Sequence, residues 1–340
     1  MQTKLRWGII GTGAIARKFA RGLKESRTGE LAAVGSRAAD TLQSFLTDFP
    51  ARGHTSYEAL LSDPEVQAVY ISTPHPLHVE WAVRTAEARK HILCEKPIAM
   101  NATETERLVA AARAAGVFLM EAFMYRCHPQ TARLLELIRE GRIGPVRLVQ
   151  AEFSFRTAWN PDSRLLNRTL GGGGILDVGC YCVSMARLVA GAAQGAPFAE
   201  PAEIKALARI GETAVDELAV AVLKFPGGML AQLATGVRLS LANHVRIWGE
   251  EGMIEVPSPW AINREPGESI LLIRREGRPV EEVKTFTDRG IYAIEADAVA
   301  ESLAAGESPA MSWADSLGNM RALDRWRDEI GLRYDADDLK

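Results

Sequence analysis

Cysteine is scarce in this chain, with four among 340 residues, at Cys94, Cys127, Cys180 and Cys182. Their spacing builds no disulfide framework. The C-x-C at Cys180 and Cys182 has no second ligand pair at zinc-site distance. All four read as small buried hydrophobes in a reducing compartment. Histidine is thin as well, with six residues. His75 and His78 have no clustered carboxylates beside them, so no metal site is expected. A strong charge of one sign is also missing: the formal net charge is −3. That leaves no electrostatic footprint for nucleic acid or an anionic membrane as partner. No run reads as a transmembrane segment. The apolar start in MQTKLRWGIIGTGAIA is broken by Gly8, Gly11 and Gly13 and followed at once by Arg17 and Lys18. It reads as a strand and a loop rather than a leader peptide, and the protein as cytoplasmic.

What is present is ordinary globular material, 47% hydrophobic and 24% charged. A chain of this length is expected to form two domains with sizeable cores that need neither disulfide nor metal. Residues 1–123 alternate short apolar runs with amphipathic stretches. The runs are Leu5–Ile10, Leu31–Val34, Ala68–Ile71, Ile92–Cys94 and Val117–Met120. Between them lie helical patterns at Ala14–Leu23, Ala39–Phe49, His78–Ala88 and Thr103–Ala115. Continuous apolar strands alternating with helices predict an α/β, doubly wound parallel sheet of Rossmann type. Residues 124–340 predict an α+β domain on a large, mostly antiparallel, open-faced sheet. Its strands are expected at Val146–Arg156, Ile204–Ala208, Leu218–Phe225, Met229–Val237, Val245–Trp248, Met253–Val256 and Ile270–Ile273. Pro226-Gly227-Gly228 marks a hairpin. Helices are expected from Ile175 to about Val189, near Tyr292–Ala304 and at Trp313–Ile330, the last placed to pack back on the first domain.

The first strand ends in Gly11-Thr12-Gly13-Ala14-Ile15-Ala16, a G-x-G-x-x-A. Such hexamers are common, but this one follows a strand, opens a helix and lies in a βαβ pattern. Gly11 permits the tight turn, Gly13 lets the backbone approach a pyrophosphate, and Ala16 lets the helix pack on the sheet. The helix N-terminus presents free N–H groups to the phosphates. The second strand ends in Ser36-Arg37. An NAD site usually has a carboxylate there for the ribose 2′-hydroxyl. A hydroxyl and an arginine suit a 2′-phosphate, so NADP is expected in preference to NAD.

Two later motifs carry chemistry: Cys94-Glu95-Lys96-Pro97 after a short strand, and Gly171-Gly172-Gly173-Gly174 running into Ile175-Leu176-Asp177-Val178-Gly179-Cys180-Tyr181. Asp177 and Tyr181, four apart, share one helical stripe, while Ile175, Val178, Cys182, Ala186 and Val189 make the opposite, core-facing side. The glycines read as a place where backbone passes close to a ligand. Tyr181 is a candidate base for a hydroxyl proton. Its ordinary pKa near 10 would need a neighbouring cation, and Lys96 is the candidate.

With Ser72-Thr73-Pro74 and His78 between these motifs, the order resembles the glucose–fructose oxidoreductase / inositol dehydrogenase / MocA family over nearly the whole chain. The resemblance implies a nicotinamide-dependent oxidoreductase acting on the CH–OH or C=O group of a sugar or polyol. Lys96 and Tyr181 become the proton-handling pair. Asp177 orients Lys96 or binds a substrate hydroxyl. Ser72, Thr73 and Pro74 lie along the cofactor, His78 at the site edge or in a structural role, and Glu95 beside the nicotinamide. A cis Lys96–Pro97 bond is implied, and a homodimer through the C-terminal sheet. Tyrosine at 181 resembles the branch that includes dihydrodiol dehydrogenase and NADP-dependent aldose dehydrogenase. Alternatives are a trans-dihydrodiol dehydrogenase, a sugar–sugar oxidoreductase with tightly held NADP, and a regulatory dinucleotide sensor. Arg126 either faces the cleft or makes a buried pair. Trp159 either stacks on a sugar face or covers the core, and Asn160 beside it is a candidate substrate contact.

Overall fold

The computed structural model describes residues 4–338. Six short strands form one parallel sheet: β1 (Leu5–Ile10), β2 (Gly29–Gly35), β3 (Arg52–His54), β4 (Ala68–Ile71), β5 (His91–Cys94) and β6 (Leu119–Glu121). Their order is β3-β2-β1-β4-β5-β6. Strands β1 and β4 are buried on both faces, as they must be in a sheet covered on both sides. The covering helices are α1 (Ala14–Glu25), α2 (Ala39–Asp48), α3 (Tyr57–Leu61), α4 (His78–Glu87) and α5 (Ala102–Ala115). The order reverses between β1 and β4. The loops after β1, β2 and β4 therefore meet at one carboxyl edge, where a doubly wound sheet leaves a crevice.

The second sheet has eight strands. They are β7 (Val146–Ser154), β8 (Glu203–Ile210), β9 (Asp216–Lys224), β10 (Leu230–Gly236), β11 (Val245–Gly249), β12 (Met253–Val256), β13 (Gly267–Arg274) and β14 (Glu281–Thr287). The order is β14-β13-β12-β11-β7-β10-β9-β8. Every neighbour is antiparallel except β7 with β10. Helices α6 (Pro129–Arg139) and α7 (Cys180–Ala193) belong to this half. One face is apolar and closed. Along β9, Ala219, Ala221 and Leu223 point into the core while Val220 and Val222 are exposed.

Two further helices tie the halves together. Helix α8 (Ile291–Ser302) packs on α1, and α9 (Trp313–Glu329) packs on α5. The first contact requires a glycine: a Cβ at Gly22 would lie 2.6 Å from the Cβ of Tyr292. Asp324 of α9 accepts from the backbone N of Ala102 at 2.9 Å.

Three expectations change. Helix α7 is not amphipathic: residues 175–192 are buried all round, and a π-helical turn, Ile175–Gly179, precedes it. The stretch Arg168–Ala193 is long and apolar enough to cross a membrane, contrary to the sequence reading, but it is entirely buried inside the fold. The glycine run answers to the protein rather than to a ligand. At Gly173 the backbone has φ +113°, and a Cβ there would run into Oδ1 of Asp216; at Gly174 it would lie 2.9 Å from the Cα of Gly236.

Candidate active site

The glycine loop lies at the crevice. Gly11 has φ +99°, and a Cβ would stand 2.9 Å from Ser72 Oγ, so the turn admits glycine alone. Gly13 is the N-cap of α1, with nothing within 4 Å of the place a Cβ would occupy. No side chain caps this helix, and its first turn, beginning at Ala14 and Ile15, holds no acid. The orphan N–H groups and the positive end of the dipole therefore face open space, the arrangement an anion needs. Thr73, just past β4, has a buried Oγ1 with no hydrogen-bond partner among the described residues, whereas Ser72 Oγ donates to Ile10 O at 2.8 Å. This is a cradle that fits a dinucleotide.

At the end of β2, Ser36 Oγ lies 3.1 Å from Thr41 Oγ1 and 3.4 Å from Thr12 Oγ1. The Arg37 guanidinium sits 5.6 Å from the Tyr57 ring centroid. It forms no ion pair among the described residues, so its charge remains available.

The loop after β5 brings Lys96 to the other half of the molecule, and the Lys96–Pro97 peptide is cis. Lys96 Nζ donates to the backbone O of Asp177 at 2.7 Å and lies 3.5 Å from Asp177 Oδ1. The same ammonium stands 5.2 Å from the Tyr181 ring centroid. The three residues singled out in the sequence therefore meet. Burial works against the Lys96 charge, but Asp177, Cys180 and Glu95 outweigh it and hold its pKa above the ordinary value. Burial also opposes the Asp177 carboxylate. Lys96, Arg164 and His75 prevail and keep it well below the usual carboxylate range.

Tyr181 departs from expectation. Lys96 faces its ring and not its hydroxyl, which instead points at Met124 Sδ, 3.3 Å away. Burial, reinforced by Glu95 and Tyr292, raises the phenol well above its ordinary pKa. The residue is a loaded acid rather than a primed base. Around it stand Phe123 (5.0 Å between centroids), Phe153 (5.2 Å), Tyr125 and Trp260 (both 5.8 Å), an aromatic wall that one strand, two loops and a helix build together.

Arg164 was not anticipated. Its Nη1 donates to Asp177 Oδ1 at 2.9 Å from a half-exposed position on the loop before the glycines. Nothing local in the sequence marks it, since the contact is made only by the fold. His75 was set aside with His78, yet it is the member closer to the site. It is buried, 3.2 Å from the Gly171 carbonyl, and within the field of Asp177.

The other expected residues sit as follows. His78 is wholly buried, with Nδ1 2.8 Å from Pro97 O and Nε2 2.9 Å from Thr73 O. No ring edge is left for a cofactor; burial lowers its pKa to about 4, so the neutral ring has one N–H and donates to one of these two carbonyls at a time. The Glu95 side chain turns inward to the Tyr70 hydroxyl and to the backbone N of Lys96. Arg126 takes the buried-pair alternative: it binds Asp315 Oδ2 at 2.5 Å and Ser184 Oγ at 3.1 Å. Trp159 does not cover the core. It is 45% exposed, with Arg238 5.6 Å from its ring centroid. Asn160 is exposed and uses Oδ1 to accept from Asp162 N at 3.1 Å.

Comparison with known proteins agrees with this geometry. Residues 5–123 match the model of the oxidoreductase family with an NAD-binding Rossmann fold, and residues 131–255 match the GFO/IDH/MocA C-terminal domain. Trans-1,2-dihydrobenzene-1,2-diol dehydrogenase of Mus musculus is 34% identical over 98% of this chain and 99% of its own. D-xylose 1-dehydrogenase (NADP(+)) 2 of Haloferax volcanii is 33% identical over 94% and 95%. The 3-ketoreductase KijD10 of Actinomadura kijaniata, solved with TDP-benzene and NADP, superposes with a TM-score of 0.84 at 29% identity, covering 96% of this chain and 98% of that one. With a glycine-loop cradle at the switch point of the first sheet and Lys96 of that half meeting Asp177 and Tyr181 of the second, and by these family and relative matches, this chain belongs to the Gfo/Idh/MocA family of NAD(P)-binding oxidoreductases.

Proposed function

We propose that the chain is an NADP-dependent reductase or dehydrogenase of a sugar or related polyol, with Lys96 and Tyr181 as the proton-handling pair. The observation that carries this reading is the Lys96 ammonium, held by Asp177 over the face of Tyr181. The cradle from Gly11 to Ile15 would hold the pyrophosphate, Thr73 and Pro74 would line the nicotinamide half, and Ser36 with Arg37 would take the 2′-phosphate. The bound nicotinamide supplies or accepts the hydride. As hydride reaches a carbonyl carbon, the carbonyl oxygen takes its proton from Tyr181 or Lys96. In the reverse reaction the same groups receive the hydroxyl proton. Both hold their protons at neutral pH and can donate one to a carbonyl oxygen. Asp177 stabilises the ammonium and, with Arg164, offers a carboxylate edge to a substrate hydroxyl.

The aromatic wall of Phe123, Tyr125, Phe153 and Trp260 favours a second reading, oxidation of a trans-dihydrodiol with a flat apolar ring. One spectrophotometric screen separates the two: aldoses, inositols, 1,5-anhydro-sugars and trans-dihydrodiols, each with NADP and NAD. NADP-linked turnover of a sugar or polyol is expected. Turnover of dihydrodiols alone would select the second reading, and turnover of nothing would reject both. Nucleotide that copurifies in stoichiometric amount would instead point to coupled sugar–sugar exchange.

The outer face of the second sheet exposes Leu207 (77%), Val220 (44%), Val222 (50%) and Phe286 (70%). Leu207, Val220 and Val222 lie together at the β8–β9 end and Phe286 at the β14 end, and exposed apolar patches on this face fit a second copy of the chain. A monomer by light scattering would remove the homodimer.

A further inference from the structure

After α9 the chain turns at Gly331, where φ is +68°, and the segment 333–337 meets both halves of the molecule. On one side it holds the loop from β5 to α5, which begins with Lys96. Asn101 Nδ2 donates to Ala336 O at 2.9 Å and lies 3.3 Å from Asp337 Oδ1. Arg327 of α9 is buried; it donates to Met100 O at 3.2 Å and to the two carboxylate oxygens of Asp337 at 2.6 and 3.1 Å. On the other side the segment holds the stretch that runs into Asp177. Arg168 Nη2 donates to Arg333 O at 2.9 Å. The buried Tyr334 donates its hydroxyl to the Gly172 carbonyl, and its ring lies 5.3 Å from the Arg327 guanidinium.

Four consecutive glycines order themselves less than any other backbone. Gly171 and Gly173 stand at φ +69° and +113°, and neither has a side chain to fix it. Yet the carboxylate of the site depends on this run. Asp177 N donates back to Gly173 O at 3.4 Å, and Asp177 O receives Lys96 Nζ at 2.7 Å. A shift at Gly172 therefore passes to the residue that holds the ammonium. Tyr334 supplies the donor for Gly172 O, and its own backbone N donates to Asp337 Oδ2 at 2.8 Å. Through Asp337 and Arg327 it is tied to the loop of Lys96 as well.

We propose that Tyr334 is a positioning residue of the active centre: the segment 333–337 braces the Lys96 loop against the glycine run, and the Tyr334 hydroxyl sets where Asp177 meets Lys96. The proposal rests on the reading of Lys96 as a proton donor. The charged and titratable groups that face Lys96 are Asp177 and Cys180 beyond the glycines, Glu95 of its own loop, and Arg164. Loss of the brace weakens the contribution of Asp177.

The test uses the full chain with NADP and the fastest-reacting member of the sugar and dihydrodiol panel. Tyr334→Phe keeps the ring and removes the hydroxyl. Its kcat is expected to fall ~10–100-fold, the loss that a misplacement of about 1 Å produces, while KM for NADP and for substrate stays within about threefold. The alkaline limb of kcat/KM should move to lower pH, and the melting temperature by no more than a few degrees. Asn101→Ser acts at the opposite anchor. Serine still caps α5 but is too short to reach Ala336 O, and the same kinetic changes are expected in smaller measure. A second readout needs no turnover: the rate at which Lys96 is acetylated near pH ~9, read by peptide mass spectrometry, should rise in both variants as the ammonium loses Asp177. If this labelling accelerates while no member of the panel is turned over, the functional reading fails and the brace stands. A lower melting temperature with kcat, alkaline limb and labelling unchanged makes Tyr334 structural only. A fall in kcat with the limb in place separates it from Lys96. Either of these two results overturns the proposal.

Discussion

Lys96 Nζ lies 3.5 Å from Asp177 Oδ1 and 2.7 Å from Asp177 O, and these contacts join the cofactor-binding half to the second half at the candidate site. Burial of the pair is nearly complete, with side-chain exposures of 13% and 4%. The carboxylate is what keeps the lysine charged in that setting. In Asp177→Asn the burial of the ammonium is no longer offset, so the Lys96 pKa falls. On the proposed role, in which Lys96 acts in its protonated form, the alkaline limb of kcat/KM against pH should move to lower pH, and neutral-pH kcat should drop ~10²-fold or more. Lys96→Ala should cost ~10³-fold in kcat while NADP still binds. An alkaline limb that stays in place in Asp177→Asn would separate Asp177 from the charge of Lys96.

Tyr181→Phe removes one hydroxyl whose only hydrogen-bond partner among the described residues is Met124 Sδ. The ring contacts with Phe123, Phe153 and Trp260 survive. Stability should therefore change by less than ~1 kcal/mol, whereas kcat should fall ~10²–10⁴-fold. Denaturant melts and turnover measured on the same preparation check the split. Near-normal turnover would leave Tyr181 as part of the wall.

What the sequence made legible follows from how far each signal reaches along the chain. Strands β1 and β4 and helix α1 are local: an apolar run, a glycine turn, a helical period. Strand β14, Glu281–Thr287, escaped because its exposed positions are Glu282, Lys284 and Phe286 and its inner ones Glu281, Val283, Thr285 and Thr287, so no apolar period shows. Helix α6 was passed over although Pro129 at its first turn and His128 as cap are start signals. Strand β3 and helix α3, three and five residues long, fall below the length at which periodicity can be read. At the site, Lys96, Asp177 and Tyr181 were found because each lies in a compact motif. Arg164, Phe153 and Trp260 reach the same point from separate loops and strands, and no local pattern records that. The lysine's effect on Tyr181 was misjudged because spacing does not tell whether a cation meets a ring or a hydroxyl.

The two glycines of the nucleotide loop should fail in different ways. Gly13 has φ −68° and open space before it, so Gly13→Asp fits the backbone and supplies an N-cap acid that favours the helix. The same carboxylate stands where a pyrophosphate would lie. Thermal stability should hold or rise slightly while the NADP Kd increases at least tenfold. Gly11→Ala meets Ser72 Oγ at 2.9 Å and Ser72 O at 3.2 Å with φ at +99°. That variant should lose ~1–3 kcal/mol of stability as well as affinity. Paired melting and binding curves read the contrast.

Arg37 provides the test of cofactor choice. Its guanidinium has an aromatic support in Tyr57 and no acidic partner among the described residues. A charge-assisted bond to a 2′-phosphate is worth ~1.5–3 kcal/mol. Arg37→Ala should lower kcat/KM for NADP ~10–100-fold and leave the value for NAD within about threefold. Equal losses with both cofactors would move Arg37 away from the 2′ position.

Glu121 makes stability depend on pH in a direction opposite to that of a paired surface carboxylate. Its side chain is buried near Ser316, Oε1 accepts from the backbone N of Ile98 at 2.9 Å, and Oε2 meets no hydrogen-bond geometry among the described residues. Burial raises its pKa from 4.5 to about 7 in the folded state. Below the unfolded value both states hold the proton, and folding pays no penalty. As pH rises from 4.5 toward 7 the unfolded chain ionises and the folded one does not, so stability is lost across that window and stays lost above it. His78 and His128, each lowered to about 4 by burial, act oppositely at the acid end, so the wild-type curve alone mixes the two effects. The difference between Glu121→Gln and wild type isolates the carboxyl. At ~1.4 kcal/mol per pH unit, the interval from 4.5 to about 7 gives a relative gain for the glutamine variant of about 3 kcal/mol between pH 4.5 and 7.5. Urea melts of both proteins across that range measure it. A difference that stays constant with pH would mean that Glu121 ionises at its ordinary pKa, with a counter-charge or water reaching Oε2.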